Sequence, residues 1–205
     1  GVTAISIAGC FLLGTILARG LKVPTRMGLL LTTGTAICGG SAIAAAAPVL
    51  GAEDDEISVS LAVVFVLNAL ALIMFPLIGR QFGLSQDAFG WWAALAIHDT
   101  SSVVGAGVAY GERAAEVATT VKLARALWIV PVCLALGCWV RQSGQKTGAV
   151  KAKKPWFILG FLIAAALVTY VPALQAPGAY VAWGAKRLLT VTLFMIGTGL
   201  TVRSL

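Results

Sequence analysis

The sequence predicts an all-α fold, a polytopic bundle of transmembrane helices in which two helices are interrupted. Three observations predict it. The chain is 59% hydrophobic and only 11% charged, whereas a soluble domain keeps about a quarter of its residues charged. Apolar runs of roughly 18 to 22 residues recur along it, the length that spans a bilayer core as helix. Two of those runs carry polar breaks in their middles, "GTAICGGS" at 34–41 and "HDTSS" at 98–102.

Seven membrane segments follow, in a single transmembrane domain covering 1–205. The first is 1–18, stopped by Arg19, Lys22 and Arg26. The second is 27–51, with the first break inside it. The third, 57–78, follows the acidic cluster "EDDE" at 53–56, which reads as a solvated loop and helix N-terminal charge. The fourth is 91–109, with the second break. The fifth is 117–140, where Pro131 is expected to kink the helix. A polar linker at 141–154 is assigned to the cytoplasm, and the last two segments are 155–173 and 184–202. Trp91, Trp92, Trp139, Trp156, Tyr170 and Trp183 fall near predicted ends, as an interfacial belt would.

The net charge of +7 reads as the positive-inside bias of short loops rather than as nucleic-acid binding. With 19–26 cytoplasmic, an alternating path places Arg80 and the 141–154 linker on that side and "EDDE" opposite. Lys186 and Arg187 are the exceptions. The four cysteines all lie in apolar segments without a CxxC spacing, so neither a disulfide framework nor a zinc site is indicated. A single histidine makes a multi-His metal site impossible within one chain. No metal or cofactor is expected. The chain opens and closes close to membrane-like runs, so both ends read as cut from something longer.

The breaks carry the functional expectation. An unpaired backbone group in hydrocarbon costs several kcal/mol, so a break survives only where it lines a cavity or meets protein. Paired interrupted helices point to a transporter site, and half-helix N-termini favour an anion. In the first break, Gly34, Gly39 and Gly40 permit unusual backbone, while Thr35 and Ser41 can cap a half-helix. The competing reading is an uninterrupted small-residue packing face. In the second, His98 can change charge near neutral pH, and Asp99 can hold a cation or orient the imidazole. Thr100, Ser101 and Ser102 offer hydroxyls to an oxyanion. The competing reading is an interfacial loop. Lys122 and Arg125, three apart, share a helix face. Two positive charges there point into a cavity, unless they snorkel to the interface. Asn68 reads as an interhelical hydrogen bond, and Pro48 and Pro76 as helix ends or kinks.

The stretches "GTAICGGSAIAAAAPVLGA", "AIHDTSSVVGAG", "VKLARALWIVPV", "KKPWFILGFL" and "RLLTVTLFMIGTGL" closely resemble the YeiH-type sulfate-exporter family of bacterial conserved hypothetical inner-membrane proteins. The match runs the whole chain in the same order. The resemblance implies a bacterial inner-membrane, multi-pass transporter with inverted repeats of helices, similar to bile-acid-symporter and cation/proton-antiporter folds. Members are longer at both ends, so it also implies a truncated chain. The family's motifs fall on Thr35, Cys38, Gly39, Gly40 and Ser41, on His98 and Asp99, and on Lys122 and Arg125.

The expected function is therefore a secondary transporter exporting a small inorganic anion of the sulfate or sulfite class. Thr35, Cys38, Gly39, Gly40, Ser41, Thr100, Ser101, Lys122 and Arg125 would bind the anion. His98 and Asp99 would couple or gate a proton or sodium ion. The lipid bilayer is a partner, nucleic acid is not, and a homo-oligomer is open. One alternative is a cation/proton antiporter using Asp99. A remote one is an intramembrane serine hydrolase pairing Ser41 with His98. The primary reading is not an enzyme.

Overall fold

The computed structural model describes residues 2–142 continuously, with isolated positions between 163 and 187. Apart from those positions, the predicted segments 155–173 and 184–202, and the linker beyond residue 142, lie outside the described residues. The chain divides into two compact units, 1–153 and 154–205, and the candidate site lies in the first. Its elements are α1 (Val2–Gly20), α2 (Thr25–Ala36), α3 (Gly40–Leu50), α4 (Asp54–Gln81), α5 (Gln86–Ala96), α6 (Thr100–Tyr110), α7 (Glu112–Ala126) and α8 (Ile129–Gln142).

Three of these stretches are long and apolar enough to cross a membrane: Val2–Gly20, Asp54–Gln81 and the run Glu112–Gln142. In α1, Arg19 stands in the last turn, where a cation suits the helix dipole. The 28 residues of α4 rise about 42 Å. Its start is held by a capping box, in which the Glu53 amide donates to Glu56 Oε2 at 2.9 Å, with Asp54 and Asp55 adding negative charge to the first turn. The acidic cluster thus serves as helix N-terminal charge. The run from α7 to α8 turns at Leu127–Trp128. Pro131 has no N–H and its ring crowds the carbonyl four residues back, which is that of Leu127. The interruption therefore falls one turn before the proline.

The remaining helices do not cross. With 12 and 11 residues, α2 and α3 rise about 18 and about 17 Å, short of the ~30 Å hydrocarbon core. They fold back on each other. Arg26, at the start of α2, has Nη1 4.0 Å from Glu53 Oε1, beyond the end of α3; one continuous helix would hold these residues about 40 Å apart. Leu30 of α2 shares a core cluster with Ala47 and Leu50 of α3. The α5–α6 pair repeats the pattern. The Tyr110 hydroxyl, at the end of α6, donates to the carbonyls of Gly79 and Leu84, which precede α5. The Ala114 amide donates to Gln86 Oε1 at 3.2 Å, and Arg113 Nε pairs with Asp87 Oδ1 at 3.0 Å.

Both interrupted elements are therefore helical hairpins. Their bases lie at opposite ends of α4, so they enter from opposite sides and their tips meet near its middle. A hairpin followed by a long helix occurs twice, α2–α3 with α4 and α5–α6 with α7–α8, in inverted orientation. Small residues allow the second repeat to pack closely. A Cβ on Gly90 would lie 2.8 Å from Val117, and one on Gly107 would lie 2.7 Å from the Ala115 Cα. Outward faces stay apolar and exposed, as at Ile5, Leu12, Leu17, Ile73 and Leu77, which suits a lipid surface.

Two expectations are corrected by this geometry. Segments 27–51 and 91–109 reverse direction instead of spanning, and the fourth begins at Gln86. The alternating path also fails: the Arg26–Glu53 approach puts "EDDE" at the same end as 19–26, while Arg80 lies at the other. A count based on apolar length and loop charge has no means of registering a reversal inside a segment.

Candidate functional site

The first hairpin turns at Ile37–Gly39. Gly39 holds φ 69 and ψ −126, a conformation in which a side chain is strained, and its amide donates to the Gly34 carbonyl at 2.8 Å. The second hairpin turns at Ile97–Asp99 and is extended at Ile97. The tips touch: a Cβ on Gly39 would lie 3.5 Å from both the Asp99 amide nitrogen and the His98 carbonyl carbon, and 3.1 Å from Val64 of α4. Asn68, 3% exposed at the middle of α4, ties this crossing to the long helix. Its Oδ1 accepts from the His98 amide at 3.0 Å and the Asp99 amide at 3.2 Å. The interhelical role read for Asn68 is what the structure shows, and it falls on the second tip.

Four half-helix ends meet here. The two carbonyl ends are occupied by cations from α7. Arg125 Nε donates to Ala36 O of α2 at 2.5 Å, its Nη1 to Leu95 O of α5 at 2.9 Å, and its Nη2 lies 3.9 Å from Cys10 Sγ of α1. Lys122 Nζ donates to Ile97 O at 2.7 Å and Ala94 O at 3.4 Å. Both residues are 0% exposed. Among the described residues no carboxylate forms a salt bridge with either. Helix C-termini carry unpaired carbonyls and partial negative charge, and these two side chains satisfy both.

The two amide ends begin at the same two tips. In α3, Ala42 and Ile43 donate to the Gly39 carbonyl at 3.1 Å each, so the amides of Gly40 and Ser41 precede the first helical bond. In α6, Ser102 donates to Asp99 Oδ2 at 3.1 Å and Val103 to Asp99 O at 3.0 Å. The amides of Thr100 and Ser101 precede those. Asp99 is thus the N-cap of α6. Two buried polar atoms at the crossing have no hydrogen-bond partner among the described residues, Asn68 Nδ2 and His98 Nδ1.

The residues singled out from sequence are largely brought together. Cys38, 4% exposed, lies within electrostatic reach of Lys122 and Asp99. His98 lies within reach of Lys122 and Arg125. Thr100 and Ser101 form the half-buried first turn of α6. Thr35 and Ser41 do not cap. Thr35 is in the last turn of α2, Ser41 is in the first turn of α3 and exposed, and the N-cap between them is Gly39 without a side-chain bond. The break sits at 37–39, too late for one and too early for the other. Cys10 was not foreseen, because a lone cysteine in an apolar helix carries no signal of its neighbour. No group of His, Cys, Asp and Glu able to hold a metal occurs among the described residues. A cavity of about 440 Å³ lies elsewhere, between α1, α2 and α8, lined by residues such as Phe11, Leu29 and Leu136 and by none of those above.

Long apolar helices around two opposed hairpins with polar tips define a helical membrane protein. The chain belongs to the family described as Conserved hypothetical protein 698, whose model matches residues 1–205; its relatives carry the name UPF0324 membrane protein. That of Bdellovibrio bacteriovorus is 56% identical over 100% of this chain and 63% of its own length. That of Photobacterium profundum is 47% identical over 100% and 61%, and that of Porphyromonas gingivalis 52% over 97% and 60%. The chain thus spans less than two thirds of the length of these relatives. The family resemblance read from the motifs agrees with this match. No solved structure matches the chain.

Proposed function

We propose that this chain carries the substrate site of a multi-pass secondary transporter of the bacterial inner membrane that exports a small inorganic anion, of the sulfate or sulfite class, coupled to a proton or another ion. The observation that carries the reading is the pairing of half-helix ends. Arg125 and Lys122 neutralise both carbonyl ends, while both amide ends remain at the crossing. The potential left at the tips is positive, and bare N–H groups are what an oxyanion needs.

In this reading the anion sits between the first turns of α3 and α6. The amides of Gly40, Ser41, Thr100 and Ser101 hold it, with the hydroxyls of Ser41, Thr100 and Ser101. Thr35, Cys38 and Gly39 shape the first tip. Lys122 and Arg125 act on the anion through their field, because both are anchored to helix carbonyls. His98 and Asp99, beside the anion, gate or couple. The inverted hairpin-and-helix repeat supports alternating access from the two sides.

Calorimetry on the purified full-length protein tests this, with sulfite and sulfate against chloride and sodium controls. Saturable anion binding weakened in the Thr100→Ala, Ser101→Ala double variant is expected. Stabilisation by sodium with no response to any anion would replace it with the cation/proton antiporter built on Asp99.

A further inference from the structure

The anion site proposed above rests on backbone amides, which accept many anions. Two side-chain atoms at the same crossing can choose among them. Asn68 Oδ1 accepts from two backbone amides, at 3.0 and 3.2 Å. Only the oxygen of a carboxamide can accept, so the opposite orientation of the amide is excluded. Nδ2 therefore points away from the His98–Asp99 peptide, and it is buried without a partner among the described residues, in a residue 3% exposed. His98 Nδ1, on the residue whose amide Asn68 holds, is likewise buried without a partner among the described residues. An unmade hydrogen bond at a buried atom costs about 1–3 kcal/mol. Two such atoms flanking one peptide, at the meeting point of two hairpins, mark a place that a ligand completes.

The pair has a definite chemistry. The carboxamide nitrogen only donates, so it faces an anionic oxygen. With the imidazole proton on Nε2, His98 Nδ1 only accepts, so it faces a hydroxyl. The formal charge gathered at the crossing is also unbalanced. Among the described residues, Lys122 and Arg125 stand against the single carboxylate of Asp99, which leaves one positive charge in excess. A singly charged guest balances it, and a dianion overshoots.

Resting on the transporter reading, we infer that Asn68 Nδ2 and His98 Nδ1 form a donor–acceptor pair that selects a singly charged oxyanion keeping one hydroxyl, of the hydrogen sulfite kind, over the sulfate dianion. The anionic oxygens take the Asn68 N–H and the half-helix amides, and the hydroxyl donates to His98.

The test is the ratio of affinities of the purified full-length protein for hydrogen sulfite and methanesulfonate at mildly acidic pH. Both carry one charge, and only the first offers a hydroxyl. The expected preference is about tenfold or more, the worth of one hydrogen bond involving a charged partner, with sulfate weaker still. His98→Phe should bring the ratio to about one. Asn68→Asp, whose carboxylate keeps the two backbone bonds but donates nothing, should weaken both anions by about tenfold or more. The ratio decides, because an added charge at position 68 weakens any anion. Equal affinity for the two probes in the unmutated protein overturns the inference, as does a ratio unchanged in a folded His98→Phe protein. Failure of every anion to bind overturns the transporter reading itself. Should either variant fail to fold, the ratio in the unmutated protein still decides.

Discussion

Arg125 and Ala36 meet across most of the described chain: the guanidinium Nε donates to the Ala36 carbonyl at 2.5 Å, while Nη1 of the same group holds Leu95 O at 2.9 Å. One side chain on α7 thus closes the carbonyl ends of two hairpins that enter from opposite sides. The planar fork of arginine makes this bridge, and the point charge of lysine has no equivalent reach.

Removing the bridge should therefore affect folding before binding. Arg125→Ala leaves the buried Ala36 carbonyl without a partner, at a cost of about 1–3 kcal/mol, and frees the partly buried Leu95 carbonyl as well. A marked fall in melting temperature of the detergent-purified protein is expected, with Arg125→Lys recovering only part of it. A melting curve for Arg125→Ala that superimposes on the unmutated one would show that the two carbonyl ends need no bridge.

Gly39 is the second point of failure. Its φ of 69 with ψ −126 costs a residue with a Cβ about 1–3 kcal/mol, and that Cβ would also press on Val64 at 3.1 Å. Gly39→Ala should open the first tip, seen as faster amide hydrogen exchange over 34–43, with exchange at the hairpin base little changed. Unaltered protection there would mean that the turn tolerates a side chain.

The fold-back geometry makes a prediction about sidedness. With the native cysteines replaced, Lys22→Cys and Asp55→Cys should label from one face of the membrane with an impermeant thiol reagent. Gln81→Cys and Glu112→Cys should label from the other. Labelling of positions 22 and 55 from opposite faces would restore a spanning second segment and remove the hairpin.

Asp99 separates capping from coupling. Asparagine caps a helix about as well as aspartate, and alanine costs about 1 kcal/mol. Asp99→Asn should keep stability near that of the unmutated protein and keep anion binding, since it removes a negative charge beside the site. Coupled proton movement in reconstituted vesicles should fall. Loss of anion binding in a stable Asp99→Asn protein would instead give the carboxylate a direct part in holding the substrate.

How much of this was legible beforehand follows the range of the forces involved. Apolar length and low charge are local properties, so the helices, the membrane setting and the two breaks at 34–41 and 98–102 could be read from the sequence. The pairing of those breaks also could, because glycines and hydroxyls inside an apolar run have few other uses. The direction of the chain after each break was decided only in the tertiary structure. Gly39 permits a reversal but does not require one; the Arg26–Glu53 approach and the hold of Tyr110 on Leu84 reveal it. The same holds for the cations. Residues three apart on α7 were legible as a shared face. That this face meets the carbonyl ends of α2 and α5 depends on contacts 25 to 89 residues apart. A sequence fixes such contacts only through the packing of the whole, which is why charge and composition named these residues and the fold decided which groups they meet.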